Sequence, residues 1–135
     1  MIRTFLDSGV LIRASRGDPS TAETALRIIE DDRRRFLTSV FVRLEVYPKV
    51  AFHQFPLQRA LLNEFFMEPS LEWATDVEAV VHLALIEAEY GLGAMDALHV
   101  AAARVLNADE FITTEKREKA IYRVHGLKVI HLEQI

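Results

Sequence analysis

The chain has 135 residues, no cysteine, 16 Lys+Arg against 20 Asp+Glu for a formal net charge of -4, and 50% hydrophobic residues. That length fits one domain with a real core, and so high an apolar content, with only 5 Gly and 4 Pro, excludes a disordered chain. The lack of cysteine excludes disulfides, thiolate-held zinc, iron–sulfur clusters and a cysteine nucleophile, and no apolar run reaches the roughly 18–20 residues that span a bilayer. Arg3 and Asp7 interrupt the first apolar stretch, against a secretory signal. The expectation is a soluble, mildly acidic single domain over residues 1–135.

Ile2 to Leu6 reads as a strand stopped by turn chemistry at Asp7-Ser8-Gly9. Asp18-Pro19 matches an N-cap followed by proline at the first helical position, and Ala22, Ala25, Leu26 and Ile29 predict a helix over about 19–33. Arg35 to Thr38 reads as a second strand. Ser39 can cap a helix through Phe41, Leu44 and Tyr47 that Pro48 ends or kinks. Pro56 opens a further helix with Leu57, Ala60, Leu61 and Phe65 on one face, and Leu71 to Trp73 is a weak third strand.

Asp76 is the expected cap of the clearest amphipathic helix, where Val77, Val80, Val81, Ala84, Leu85 and Ala88 recur at helical spacing until Gly91 and Gly93 break it. Asp96 to Leu106 is apolar nearly all round, which predicts a buried helix. Glu110–Thr113 and Leu127–Leu132 read as strands flanking a charged helix over about Glu115–Val124. Strands alternating with helices predict an α/β fold: a parallel sheet of about four to five short strands covered by helices on both faces, a Rossmann-like three-layer arrangement.

In such sheets ligands gather at the carboxyl ends of the strands. Asp7 ends the first strand and Glu115 follows the strand ending at Thr113, so parallel strands place both at one edge. Asp96 opens the most apolar helix, and Glu45 falls angularly between Phe41 and Val42 on its own helix. Each has an ordinary alternative: an Asx turn at Asp7, an N-cap at Asp96, a solvated helix rim at Glu45, a dipole-favoured first turn at Glu115. Together they are four carboxylates from four elements that can converge. Carboxylates held together raise one another's pKa unless a cation neutralises them, and an oxygen-only set suits Mg²⁺ or Mn²⁺. Such a cation activates water and stabilises charge on a phosphodiester.

Other signals carry less. His53, His82, His99, His125 and His131 show no metal-binding pair spacing; His99 shares a helical face with Asp96, and its position favours a packed or hydrogen-bonding histidine over a ligand. Gly9 stands where an aspartyl-phosphate phosphatase needs a second acid, and Gly91 and Gly93 do not form a phosphate loop. The run Glu30-Asp31-Asp32-Arg33-Arg34-Arg35 reads as a solvated surface. Arg13, Arg16, Lys116 and Arg117, close in sequence to Asp7 and Glu115, are candidates to meet substrate phosphates.

Phe5-Leu6-Asp7-Ser8-Gly9-Val10-Leu11-Ile12 resembles the opening of the PIN domain, a family of metal-dependent ribonucleases. Thr38-Ser39-Val40-Phe41-Val42-Arg43-Leu44-Glu45-Val46-Tyr47 is similar to its second motif. Ala94-Met95-Asp96-Ala97-Leu98-His99-Val100-Ala101-Ala102-Ala103 resembles its third, the most specific of the set, and Asp109-Glu110-Phe111-Ile112-Thr113-Thr114-Glu115-Lys116 its fourth. The motifs come in order over nearly the whole chain, and a free-standing domain of this size resembles the VapC-type toxins of toxin–antitoxin pairs.

The resemblance implies a PIN-like fold in which Asp7, Glu45 and Asp96 bind Mg²⁺ or Mn²⁺, Glu115 assists at the edge, and Thr113 is a hydrogen-bonding neighbour. It implies an RNA substrate cut to a 5′-phosphate and a 3′-hydroxyl, a small antitoxin partner, a homodimer or higher oligomer, no membrane, and a cytoplasmic location. Two positions depart from the pattern. Glu115 replaces the usual Asp, which puts metal occupancy at that corner in question and leaves open a second reading, a degraded PIN-like module for RNA binding or assembly. Gly9 replaces a small polar residue and is expected to change only a loop. Phe52, Phe55, Phe65, Phe66 and Met67 crowd one segment, as core or as an exposed groove for a partner.

Overall fold

The computed structural model describes residues 1–16 and 19–135, with residues 19–21 and 49 as backbone only. The elements in order are β1 (Ile2–Leu6), α1 (Ser8–Arg16), α2 (Pro19–Ile29), β2 (Arg34–Ser39), α3 (Val40–His53), α4 (Pro56–Phe66), β3 (Glu72–Ala74), α5 (Val77–Glu87), α6 (Ala94–Val105), β4 (Glu110–Thr113) and β5 (Lys128–His131). The strands form one five-stranded sheet in the order β3-β2-β1-β4-β5, and every neighbouring pair is parallel. The expected α/β class and three-layer plan stand.

The central strands are buried on both faces, as helix-covered parallel strands must be. Phe5, Leu6, Phe111 and Ile112 are all fully buried. Phe5 stacks on Phe111 across the β1–β4 pair at 5.4 Å between ring centroids, and the His99 ring of α6 lies 6.3 Å from Phe5 on that face. α6 buries Ala97, Val100, Ala101, Ala102 and Ala103, small side chains that let it sit close to the sheet and to α5.

Local caps form as their residue types predict. The Ser39 hydroxyl accepts from the amides of Phe41 and Val42 at the head of α3, and Asp76 accepts from the Ala79 amide at the head of α5. The Asp18 cap lies outside the described residues.

Five expectations need correction. The turn at Asp7-Ser8-Gly9 is the start of α1: these residue types also begin helices, and Val10, Leu11 and Ala14 bury its inner face. Helix α3 runs through Pro48 to His53, because the carbonyl that Pro48 leaves unpaired belongs to Leu44 on the exposed side. Helix α4 buries Leu62, Phe65 and Phe66 and leaves Leu57 outside, so its inner face is rotated from the expected one. The α5 stripe splits likewise: Val80 and Ala84 are buried while Val77, Val81 and Leu85 face out. The charged helix over 115–124 reduces to a 3₁₀ turn at Ala120–Arg123, which buries only Ile121.

Candidate metal centre

The strand order reverses direction between β1 and β4, and at such a switch point the loops leaving the carboxyl ends part and open a crevice. Asp7 follows β1 and Thr113 ends β4, so the two face each other across that opening. The Asp7 amide continues the ladder by donating to the Ile112 carbonyl at 2.9 Å. The Thr113 hydroxyl donates to Asp7 Oδ2 at 2.7 Å, and the Ser8 amide, the first of α1, donates to Asp7 Oδ1 at 2.8 Å. Both Asp7 oxygens are thus held in place.

The Glu115 amide donates to Thr113 Oγ1 at 3.1 Å, and the Tyr122 hydroxyl donates to the Glu115 carbonyl at 2.7 Å. These bonds fix the loop that the sequence reading gave to a helix. Glu45 reaches in from the second turn of α3 and Asp96 from the first turn of α6. The Ser8 hydroxyl donates to Glu45 Oε1, and His99 Nε2 lies 3.0 Å from that same oxygen and 3.9 Å from Asp7 Oδ1.

Two triads result. One ligand atom each from Asp7, Asp96 and Glu115 lies within 4.8 Å of the others, and the same holds for Asp7, Glu45 and His99. Asp7 belongs to both. Glu115 keeps its place in the first triad despite its extra methylene.

The electrostatics follow from this crowding. Burial pushes the Asp7 carboxyl up, as does Glu45, against the opposing pull of His99, Thr113 and the Ser8 amide. Asp96 is pushed up to about 6, first by burial and then by the Asp7, Glu115 and Glu45 carboxylates. Glu45 is held low by its hydrogen bond to His99, helped by Ser8. Burial pulls His99 down, but Glu45, Asp7 and Asp96 together carry it above its ordinary value. Among the described residues no Lys or Arg pairs with Asp7, Glu45, Asp96 or Glu115. A crowded carboxylate set with no Lys or Arg against it among the described residues fits a hard divalent cation such as Mg²⁺ or Mn²⁺.

The four candidate acids therefore come together. Thr113 is fully buried and bonded within the cluster. Lys116 and Arg117 are exposed directly after Glu115, with the Arg117 guanidinium 5.9 Å from the Tyr122 ring centre. Arg13 approaches Glu133 at 3.7 Å, and Arg16 is exposed roughly 12 Å along α1 from its start, at 1.5 Å per residue.

Sequence reasoning missed Ser8, although its adjacency to Asp7 at a helix start was a usable signal. It also undervalued Gly9, which lies inside α1: a Cβ there would come 2.1 Å from Thr114 Oγ1, so the glycine admits the β4 loop against the helix. A hollow of about 600 Å³ lined by Leu26, Arg34, Phe36 and Phe65 involves none of the candidate acids.

Several solved structures share this fold. A VapBC2 structure from Rickettsia felis bound to a promoter DNA fragment matches with a TM-score of 0.70 at 16% identity, covering 96% of this chain and 98% of that one. A DNA-bound VapBC from Salmonella typhimurium matches at 0.67 and 19% identity, covering 98% and 99%. FitAcB from Neisseria gonorrhoeae matches at 0.62 and 16% identity, covering 98% and 99%. We found no match to this chain among curated protein sequences. The PIN domain family model matches residues 4–126, a span containing all four acids, β2, β3 and β4 in full and β1 from Thr4, and the chain belongs to the PIN domain family.

Proposed function

We propose that this protein is a divalent-metal-dependent endoribonuclease, the toxin of a toxin–antitoxin pair, with residues 1–135 as one nuclease domain. The observation that carries the reading is the convergence of Asp7, Glu45, Asp96 and Glu115 from four separate elements on the β1/β4 switch point, without a Lys or Arg partner among the described residues. These four hold Mg²⁺ or Mn²⁺. When bound, the ion supplies Lewis-acid polarisation of a phosphodiester and lowers the pKa of attacking water.

The chain's own residues do the remaining work. Asp7 is immobilised through both oxygens, Glu45 through Oε1, and the Glu115 backbone through Thr113 and Tyr122. Lys116 and Arg117, exposed beside Glu115, meet backbone phosphates, and Arg13 and Arg16 extend that track along α1. Cleavage leaves a 5′-phosphate and a 3′-hydroxyl.

The similar structures from Rickettsia felis and Salmonella typhimurium are VapBC bound to DNA, and one from Klebsiella pneumoniae is a toxin–antitoxin complex, which supports a small antitoxin partner; a homodimer or higher oligomer belongs to the same proposal. Phe52, Leu57 and Met67 are 81%, 86% and 79% exposed, while Phe65 and Phe66 are core. With Val77, Val81 and Leu85 on α5, they offer apolar surface of the kind such contacts cover. Among the described residues no helix is long and apolar enough to cross a membrane, and the proposed location is the cytoplasm.

The test incubates purified protein with end-labelled structured and unstructured RNAs in Mn²⁺, Mg²⁺ or EDTA, beside Asp7→Asn and Asp96→Asn. Metal-dependent cleavage is expected, falling about a hundredfold or more in each variant, beyond what loss of an outer-shell partner costs. Wild-type rates in both variants would sink the site. Folded protein that binds Mn²⁺ and RNA but cuts none would point to a binding module.

A further inference from the structure

His99 is fully buried one turn after Asp96 and beside the buried Val100, Ala102 and Ala103 of α6, where an imidazole is costly unless it is hydrogen-bonded. Among the described residues its Nδ1 is buried without a partner, so its polar contacts run through Nε2. That atom lies 3.0 Å from Glu45 Oε1, a distance at which two lone pairs would repel, so Nε2 carries the proton. The opposite tautomer would also strand an N–H at Nδ1. A protonated nitrogen is a donor and cannot be a metal ligand. Phe5, itself stacked on Phe111, packs beside the ring and fixes its plane.

Glu45 needs such a partner. Its side chain is longer than that of Asp7, and at 33% exposed it sits on the rim with rotamers to lose. The Ser8 hydroxyl and His99 Nε2 both meet Oε1, and among the described residues Oε2 accepts nothing.

We propose that His99 is a positioning residue: with Ser8 it clamps Glu45 through Oε1 and so presents Oε2 to the divalent ion. This rests on the metal-dependent reading given above. It departs from the sequence expectation only in giving the packed histidine a task, with α6 supplying both Asp96 and the group that aims the acid of α3.

The test titrates Mn²⁺ calorimetrically into metal-free wild type, His99→Leu, His99→Gln and Asp96→Asn. His99→Leu is expected to lose about tenfold to a hundredfold in Mn²⁺ affinity, the usual cost of removing an outer partner of a metal ligand, with its metal-free melting temperature unchanged. His99→Gln, whose amide N–H reaches about as far as Nε2, recovers most of the affinity. Wild-type affinity in His99→Leu overturns the clamp. So does a Gln variant as weak as Leu together with ¹⁴N coupling in the pulsed EPR spectrum of the Mn²⁺-loaded wild type, which would make His99 a ligand.

A second readout needs neither variants nor metal. The imidazole ¹⁵N spectrum of metal-free wild type in mildly alkaline buffer should show the His99 proton on Nε2. A proton on Nδ1 alone overturns the clamp. If wild type binds no Mn²⁺, the metal-dependent reading fails, while this spectrum still decides the clamp.

Discussion

The two ends of the sheet hold comparable numbers of acidic groups and treat them in opposite ways. At the amino end Glu110, Asp31 and Glu72 each meet a guanidinium: Arg34 Nε lies 2.9 Å from Glu110, the same side chain pairs with Asp31, and Arg3 lies 2.6 Å from Glu72. Thr4 adds a hydroxyl donated to Glu110 at 2.8 Å. At the carboxyl end, Asp7, Glu45, Asp96 and Glu115 meet one another, small donors and His99. A neutralised carboxylate in a buried network belongs to the fold. Crowding and burial without a Lys or Arg partner raise the proton affinity of Asp7 and Asp96, and under the proposed function that repulsion is relieved by a cation.

Three substitutions would break or sharpen this contrast. Arg34→Met has the largest expected effect, because it leaves Glu110 and Asp31 without their shared cation where the Arg34 and Glu110 side chains are only 8% and 7% exposed. A loss of about 3–5 kcal/mol in urea unfolding is expected. A loss under about 1 kcal/mol would class the network with ordinary surface ion pairs.

Gly9→Ala comes next. The added Cβ collides with Thr114 Oγ1, an overpacking cost of about 1–3 kcal/mol that the better helix propensity of Ala offsets by up to about 1 kcal/mol. Adding Thr114→Ala should restore stability, and a double-mutant cycle showing additive effects would refute the contact.

The smallest effect is a pH dependence. The folded Asp96 pKa of about 6 lies above its ordinary 3.8, so the folded state binds that proton more tightly than the unfolded chain. Its contribution is fully present below the unfolded value and is lost as pH rises through about 6. Asp7 and His99, also raised, act in the same direction, and Glu45, lowered, opposes them. Metal-free protein should therefore melt lower at about pH 7 than at about pH 5, and Asp96→Asn should flatten the difference in differential scanning calorimetry. An unchanged slope in the variant would place the titration elsewhere.

Much of the architecture was legible because it depends on neighbours in sequence. Ser39 and Asp76 cap helices by bonding amides two or three residues on, and Glu45 stood out as an acid on an apolar helical face. Asp7 and Glu115 were visible because strand ends in an α/β order share an edge, and Asp96 because it opens the most apolar helix. Misreadings arose where a local signal has two outcomes. Asp7-Ser8-Gly9 makes a turn or a helix start, and Val10, Leu11 and Ala14 find a buried surface only once β4 and α2 are in place. The run at Glu30–Arg35 looked solvated, yet β2 pairs with β1 and brings Arg34 to Glu110, 76 residues away.

The sequence by itself determined the α/β class, the parallel order of alternation and the acids at the carboxyl edge, because periodicity and strand ends are properties of short segments. Only the tertiary structure decided which charges are neutralised, which face of α4 and α5 is buried, why residue 9 is glycine, and that His99 meets Glu45. Those depend on distances between side chains 54 to 106 positions apart, as at His99–Glu45 and Thr113–Asp7, and such distances exist only after the sheet has assembled.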